Sequence, residues 1–207
     1  MATTPTPHTS PTPQGTGADL LTLLDDQIEF HLRQQARPRL DGLTDEEYFF
    51  DPTSDGSAWT VHPRPAEGEE PRTSVQGGGG ELVIDFAMPP PDPEPFTTIA
   101  WRLGHVIVGV LAMRSHGHFG GPEVDYMTWD YAGTAAEALD QFDREYARWR
   151  EGVAAWSEED LRAPCGPAEG PWAEASRATL VAHINRELIH HLAEVALLRD
   201  LWTHTRS

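Results

Sequence analysis

The stretch LVAHINRELIHHLAEVALLRD, residues 180–200, decides how the chain reads. At about 100° per residue, with Leu180 set to zero, Ile184 falls at about 40°, Val195 at about 60° and Leu198 at about 0°. That arc is the core-facing side of a helix. On the same scale Glu187 falls at about −20° and His191 at about +20°, while His183 falls at about −60° and His190 at about −80°. The spacing predicts that a glutamate and a histidine occupy the middle of the buried face. An unpaired buried carboxylate is costly, so Glu187 requires a proton, a cation or a metal beside it. Glu187 and His191 stand one turn apart, project together and can share one ion. Glu187 and His190 also spell Glu-x-x-His, the di-iron bundle signature, but that architecture needs the motif twice and the sequence has no second copy.

Working outward, the same periodicity recurs three times. Leu20, Leu21, Leu24, Ile28 and Leu32 line one face of a first helix that begins after Asp19 and is expected to end before Pro38. A second helix follows Thr97 or Thr98 as cap and runs through IAWRLGHVIVGVLAMRSHG to Gly117. His105 lies on its apolar face with Trp101 and Val108. A third covers about 133–153, with Ala136, Leu139, Phe142, Tyr146 and Trp149 at helical spacing, and the fourth runs from about Trp172 to Trp202. Thr44 with Glu47, and the start of SEEDL at Ser157, cap two short turns. Residues 53–95 carry many glycines and prolines, including Gly77–Gly80, with only LVIDF (82–86) resembling a strand. They read as a long irregular crossover, expected to be a flexible insertion, although loops of that length are often functional. The expected fold is therefore all-α, a four-helix bundle with one long connection between helices one and two.

Composition removes whole chemistries. All 15 basic residues are arginine, so no lysine Schiff base, lysine base or phosphate-loop lysine is available. A formal charge of −18 with scattered arginines argues against nucleic acid and anionic membranes as partners. The single cysteine, Cys165, excludes an internal disulfide framework and a cysteine-rich zinc site, and fits a reducing cytoplasm. It sits in a Gly/Pro loop without an obvious histidine partner, a weak setting for a nucleophile. Residues 1–17, rich in proline and threonine, read as a disordered tail without signal-peptide character, and residues 18–203 as one domain. No apolar run approaches a membrane span.

A histidine from helix two with Glu187 and His191 from helix four makes a candidate N,N,O metal set: His105, Glu187 and His191. Two histidines and a glutamate are an attested zinc set that leaves a position for water or substrate, and nickel, iron or manganese accept the same groups.

At HINRELIHHLAEVALLRDLW the chain resembles the DinB-like, YfiT-type superfamily of metal-binding four-helix bundles. RPRLDGLTDEEYFF (37–50), PFTTIAWRLGHVIVGV (95–110) and CGPAEGPWAEA (165–175) resemble its actinobacterial branch, and the resemblance spans roughly residues 19–202. It implies an up-down-down-up bundle with a divalent metal, often zinc or nickel, held by a histidine on the second helix and two ligands a turn apart on the fourth. Many members carry His-x-x-x-His there. The N-terminal domain of the mycothiol-dependent maleylpyruvate isomerase instead has Glu-x-x-x-His, which Glu187 and His191 match; His105 matches the helix-two ligand. A register using His183 with Glu187 stays open. The implied activity is metal-dependent S-transfer from a low-molecular-weight thiol, of the mycothiol or bacillithiol type, to a small electrophile through a metal-bound thiolate. The alternatives are a non-catalytic metal or small-molecule binder and a metal-dependent hydrolase. The sequence ends at Ser207, where that isomerase has a further domain, so the isomerase reaction itself is not expected. Arg102 and Arg186 adjoin ligands but point away as helix neighbours; Trp101 is either a pocket wall or plain core. The expected partner is a small molecule, and the family resemblance suggests a homodimer. Phe119, Tyr126, Trp129 and Tyr131 are candidates for its interface or for covering the bundle end.

Overall fold

Every long helix begins at a side chain that satisfies an otherwise orphaned N–H. The computed structural model describes residues 19–53 and 55–205, so the expected tail at 1–17 lies outside the described residues. Helix α1 starts at Leu20 with Asp19 Oδ1 accepting from Thr22 N, α2 at Ile99 with Thr98 accepting from Trp101 N, and α3 at Ala135 with Thr134 accepting from Glu137 N. Ser176 Oγ accepts from Thr179 N at the start of α4, Arg177–Thr205. Both short turns, Asp45–Tyr48 and Glu158–Arg162, carry reciprocal capping boxes at Thr44/Glu47 and Ser157/Asp160.

The helix ends depart from expectation for local reasons. Helix α1 (Leu20–Phe30) does not stop before Pro38; it widens into a π-helical stretch, His31–Ala36, and closes with Arg37–Leu40. The wide turn bonds Arg37 N to Leu32 O, five residues back, and so accommodates a proline that has no N–H to place. Helix α2 likewise runs Ile99–His105, π-helical Val106–Ala112, then Met113–Phe119, ending where Gly120 takes φ 79° rather than at Gly117. Helix α3 is Ala135–Ala154. Helix α4 starts five residues later than predicted because Pro167–Trp172 forms a 3-10 turn with Gly170 at φ 52°.

The four long helices share one core in which α4 touches α1 and α2, and α2 touches α3. Tyr48, Leu103, Ile107, Leu111, Phe142, Ile184 and Leu188 are among its fully buried side chains. Among the described residues no helix is long and apolar enough to cross a membrane.

The chain is thus mostly helical, but not all-α. The crossover expected to be irregular folds as a three-stranded antiparallel sheet in the order β1-β3-β2, from β1 (Val61–Pro63), β2 (Val75–Gly77) and β3 (Leu82–Phe86). The register pairs Val61 with Ile84 and Val75 with Phe86. The central strand buries Val83, Ile84 and Asp85 in succession, so both of its faces are covered. The glycine run is a contact surface rather than a flexible joint. A Cβ on Gly77 would lie 2.4 Å from Tyr126 O, and one on Gly79 2.3 Å from Thr128 O. Backbone meets backbone there, and Gly79 N donates to Trp129 O (2.8 Å).

Candidate functional site

On α4 the buried residues are Leu180, Val181, Ile184, Asn185, Leu188, His191, Leu192, Val195 and Leu198. On the helical wheel these span about 0° to about 140°, so the core face centres at about 70° rather than about 20°. His191 is buried at one edge of it. Glu187 lies just outside, with its side chain 26% exposed, which corrects the expectation that both occupy the middle. Nor is Glu187 the carboxylate most in need of a partner: Asp85, Glu47 and Glu145 are buried more deeply.

The edge position aims His191 at α2. Its ring meets that of His105 edge to face, with centroids 4.7 Å apart. His191 Nε2 stands 3.5 Å from Glu187 Oε2, while His191 Nδ1 is hydrogen-bonded to Glu194 Oε2 at 2.8 Å. His183 turns elsewhere, its Nδ1 accepting from Arg186 (2.6 Å) and lying 3.4 Å from Glu187 Oε1. Arg102 reaches the site despite its place beside the apolar face, because a guanidinium arm is long. Its Nη1 lies 3.1 Å from Glu194 Oε2 and 3.4 Å from His191 Nδ1.

His105 is held from three sides. Trp101 stacks on it (centroids 5.4 Å, planes 12° apart), and the Trp101 indole N–H donates to Asp85 O (2.8 Å), tying the imidazole to the sheet. Trp101 is therefore a wall of the site. Tyr126 Oη is hydrogen-bonded to His105 Nδ1 at 2.7 Å. That bond depends on Gly109, where a Cβ would fall 1.7 Å from Tyr126 Oη. Burial, reinforced by the fields of His191, Arg102 and Arg114, lowers the His105 pKa to about 3, so the ring is neutral near pH 7.

Tyr126 and Glu194 were missed by sequence reasoning. Glu194, three residues after His191, carried a readable i, i+3 signal; Tyr126 lies in an irregular segment and carried none. The aromatics weighed for an interface are engaged within the chain: Phe119 packs on Trp149 and Trp156, Trp129 donates to Gln141, and Tyr131 is buried. Cys165 is also buried, with Sγ donating to Ser176 O, and burial raises its thiol pKa, which does not favour a nucleophile.

Among the described residues, His190, His191 and Glu194 form a cluster whose potential ligand atoms all lie within 4.8 Å of one another. It shares His191 with the predicted set, but its carboxylate is already paired with Arg102. The structure thus places a His/Glu cluster able to hold a metal on this part of α4 and sets His105 against it.

No curated protein and no solved structure matches the chain. The family model of the DinB superfamily matches residues 31–195, a span that contains α2, α3, the sheet and every residue of the site just described. The chain belongs to the DinB superfamily.

Proposed function

We propose that the protein is a divalent-metal-dependent S-transferase, with the ion held by His105, Glu187 and His191, that passes a low-molecular-weight thiol to a small electrophile. The observation that carries this reading is the 3.5 Å separation of His191 Nε2 and Glu187 Oε2 beside the His105 ring. Two ligand atoms bound at about 2.0–2.2 Å to a tetrahedral ion lie roughly 3.4 Å apart. The donor set fits in a second respect. Ligating histidines commonly commit their other nitrogen to a neighbour. Here His191 Nδ1 is bonded to Glu194 and His105 Nδ1 to Tyr126. In the tautomer in which each Nδ1 carries the proton and donates it outward, both Nε2 atoms keep their lone pairs. A divalent ion in that place supplies the charge that keeps a small thiol deprotonated at neutral pH. In this reading α1 to α4 are the helices of an up-down-down-up bundle, with the sheet inserted between the first two. Trp101 and Phe86 shield the site from water, and Arg102 fixes the Glu194 carboxylate that orients His191.

The test is to load the protein with Zn²⁺, Ni²⁺ or Mn²⁺ and offer a model electrophile with and without mycothiol, bacillithiol or glutathione. Turnover that needs thiol and disappears in His105→Ala is the expected result. Metal-dependent turnover without thiol points to hydrolysis instead, and stoichiometric metal without turnover points to a binding protein.

A further inference from the structure

A second feature lies further along the same two helices. The last turns of α2, the 3-10 turn and the first turns of α4 enclose a cavity of about 400 Å³, within the roughly 300–1,000 Å³ typical of small-molecule sites. Its lining combines apolar groups, among them Leu180, Ala182 and Trp172, with Arg114, Arg186 and Glu169. His105 is not part of it.

The charged wall is built rather than incidental. Arg114 Nη1 donates to Gly109 O (2.6 Å), and its Nη2 lies 3.6 Å from Glu169 Oε2. Glu169 Oε1 is bonded to His118 Nε2 (3.0 Å), and both of those side chains are almost wholly buried. A buried carboxylate and imidazole with a half-buried guanidinium cost desolvation that apolar residues of the same size would not, so their placement is better explained by a ligand than by stability. Glu169 offsets the charge of Arg114. Arg186, 69% exposed, stands at the mouth between His183 and Glu187 (Oε1 at 3.5 Å) with the rest of its guanidinium open to solvent, and Trp172 is 72% exposed on the rim. In a chain of net charge −18, two guanidinium groups thus border one apolar surface.

We propose that this cavity binds a small organic monocarboxylate, its apolar body against Leu180, Ala182 and Trp172 and its carboxylate between Arg114 and Arg186. The guanidinium fork matches a carboxylate in shape, and the resident Glu169 disfavours a dianion. The ligand then lies about one turn of α4 from Glu187, and its binding requires no metal.

The test uses the full chain treated with EDTA and follows 4-phenylbutyrate and the neutral 4-phenylbutyramide by ligand-observed NMR titration. The carboxylate should bind at least about tenfold more tightly than the amide. Arg186→Ala should weaken carboxylate binding several-fold, and Ala182→Trp, at an exposed lining position, should abolish it by filling the mouth; circular dichroism checks that both variants remain folded. Equal binding of acid and amide, no binding of the acid, unchanged binding in both variants, or binding only after metal is added each overturns the proposal. Only the last of these bears on the metal reading, and it would favour direct coordination at the ion.

Discussion

The crossover around Asp85 and the middle of α4 around Glu187 treat a carboxylate in opposite ways. Asp85, in a segment that reads as loose, is 0% exposed and holds five groups drawn from its own surroundings: Thr60 N, His62 Nε2, Thr73 Oγ1, Gln76 Nε2 and Arg72 Nε at 3.1–3.5 Å. Glu187, in a helix whose periodicity predicts burial, stays a quarter exposed and, among the described residues, meets His183, Arg186 and His191 at 3.4–3.5 Å. Burial of a charge is thus set by how many chain segments converge on it, and periodicity along one element cannot report that. Glu47 is intermediate, a capping residue that also receives Arg199 from α4 through two contacts of 3.1 and 3.2 Å.

Three substitutions probe that ranking. Asp85→Ala removes the centre of the sheet network and leaves Arg72 and His62 without their partner. It should cost about 3–5 kcal/mol in urea unfolding. A cost below that of the Glu47 variant would break the comparison. Glu47→Gln should cost about 2–3 kcal/mol at neutral pH, with a pH signature. Burial pushes the Glu47 carboxyl up, but hydrogen bonds and charge from Arg199 and Thr44 outweigh it and hold the pKa below 4.5. A depressed folded-state pKa stabilises above the unfolded value and loses that contribution as pH falls through the folded one. The gap between wild type and variant should therefore be constant from pH 8 to 6 and close on acidification below about 4.5. Glu187→Gln, in metal-free protein, should change stability by no more than about 0.5 kcal/mol. A larger loss would show that Glu187 behaves as a buried charge after all.

The parts of the fold that were legible are those governed by neighbours within four residues. Thr98, Thr44 with Glu47, and Ser157 at the head of SEEDL mark helix starts through local bonds. The short apolar, β-branched run LVIDF marked one strand, while its two partners, each three residues long, were too short to leave a pattern. Glycines 77–80 read as freedom because nothing in the sequence shows that residues 126–130 press against them. At the candidate site the sequence indicated His105, Glu187 and His191, of which His191 meets the His105 ring and stands 3.5 Å from Glu187. It could not show Tyr126 or the reach of Arg102, since those depend on a loop conformation and an arm length. Nor did it show the wall formed by Arg114, His118 and Glu169, in which Glu169 arrives from another part of the chain.

The π-helical stretch Val106–Ala112 begins directly after His105. In an uninterrupted α-helix, residues nine apart point about 180° from each other, so His105 and Arg114 would face opposite ways. A wide turn takes up one extra residue and removes about 100° of that rotation, leaving the two within about 80°. The helix changes reading frame between them. That shift lets one rod present an imidazole to His191 and, two turns later, a guanidinium to the cavity beside His183. The candidate metal site and the charged cavity therefore share a helix whose winding, as much as its residues, sets their relative orientation.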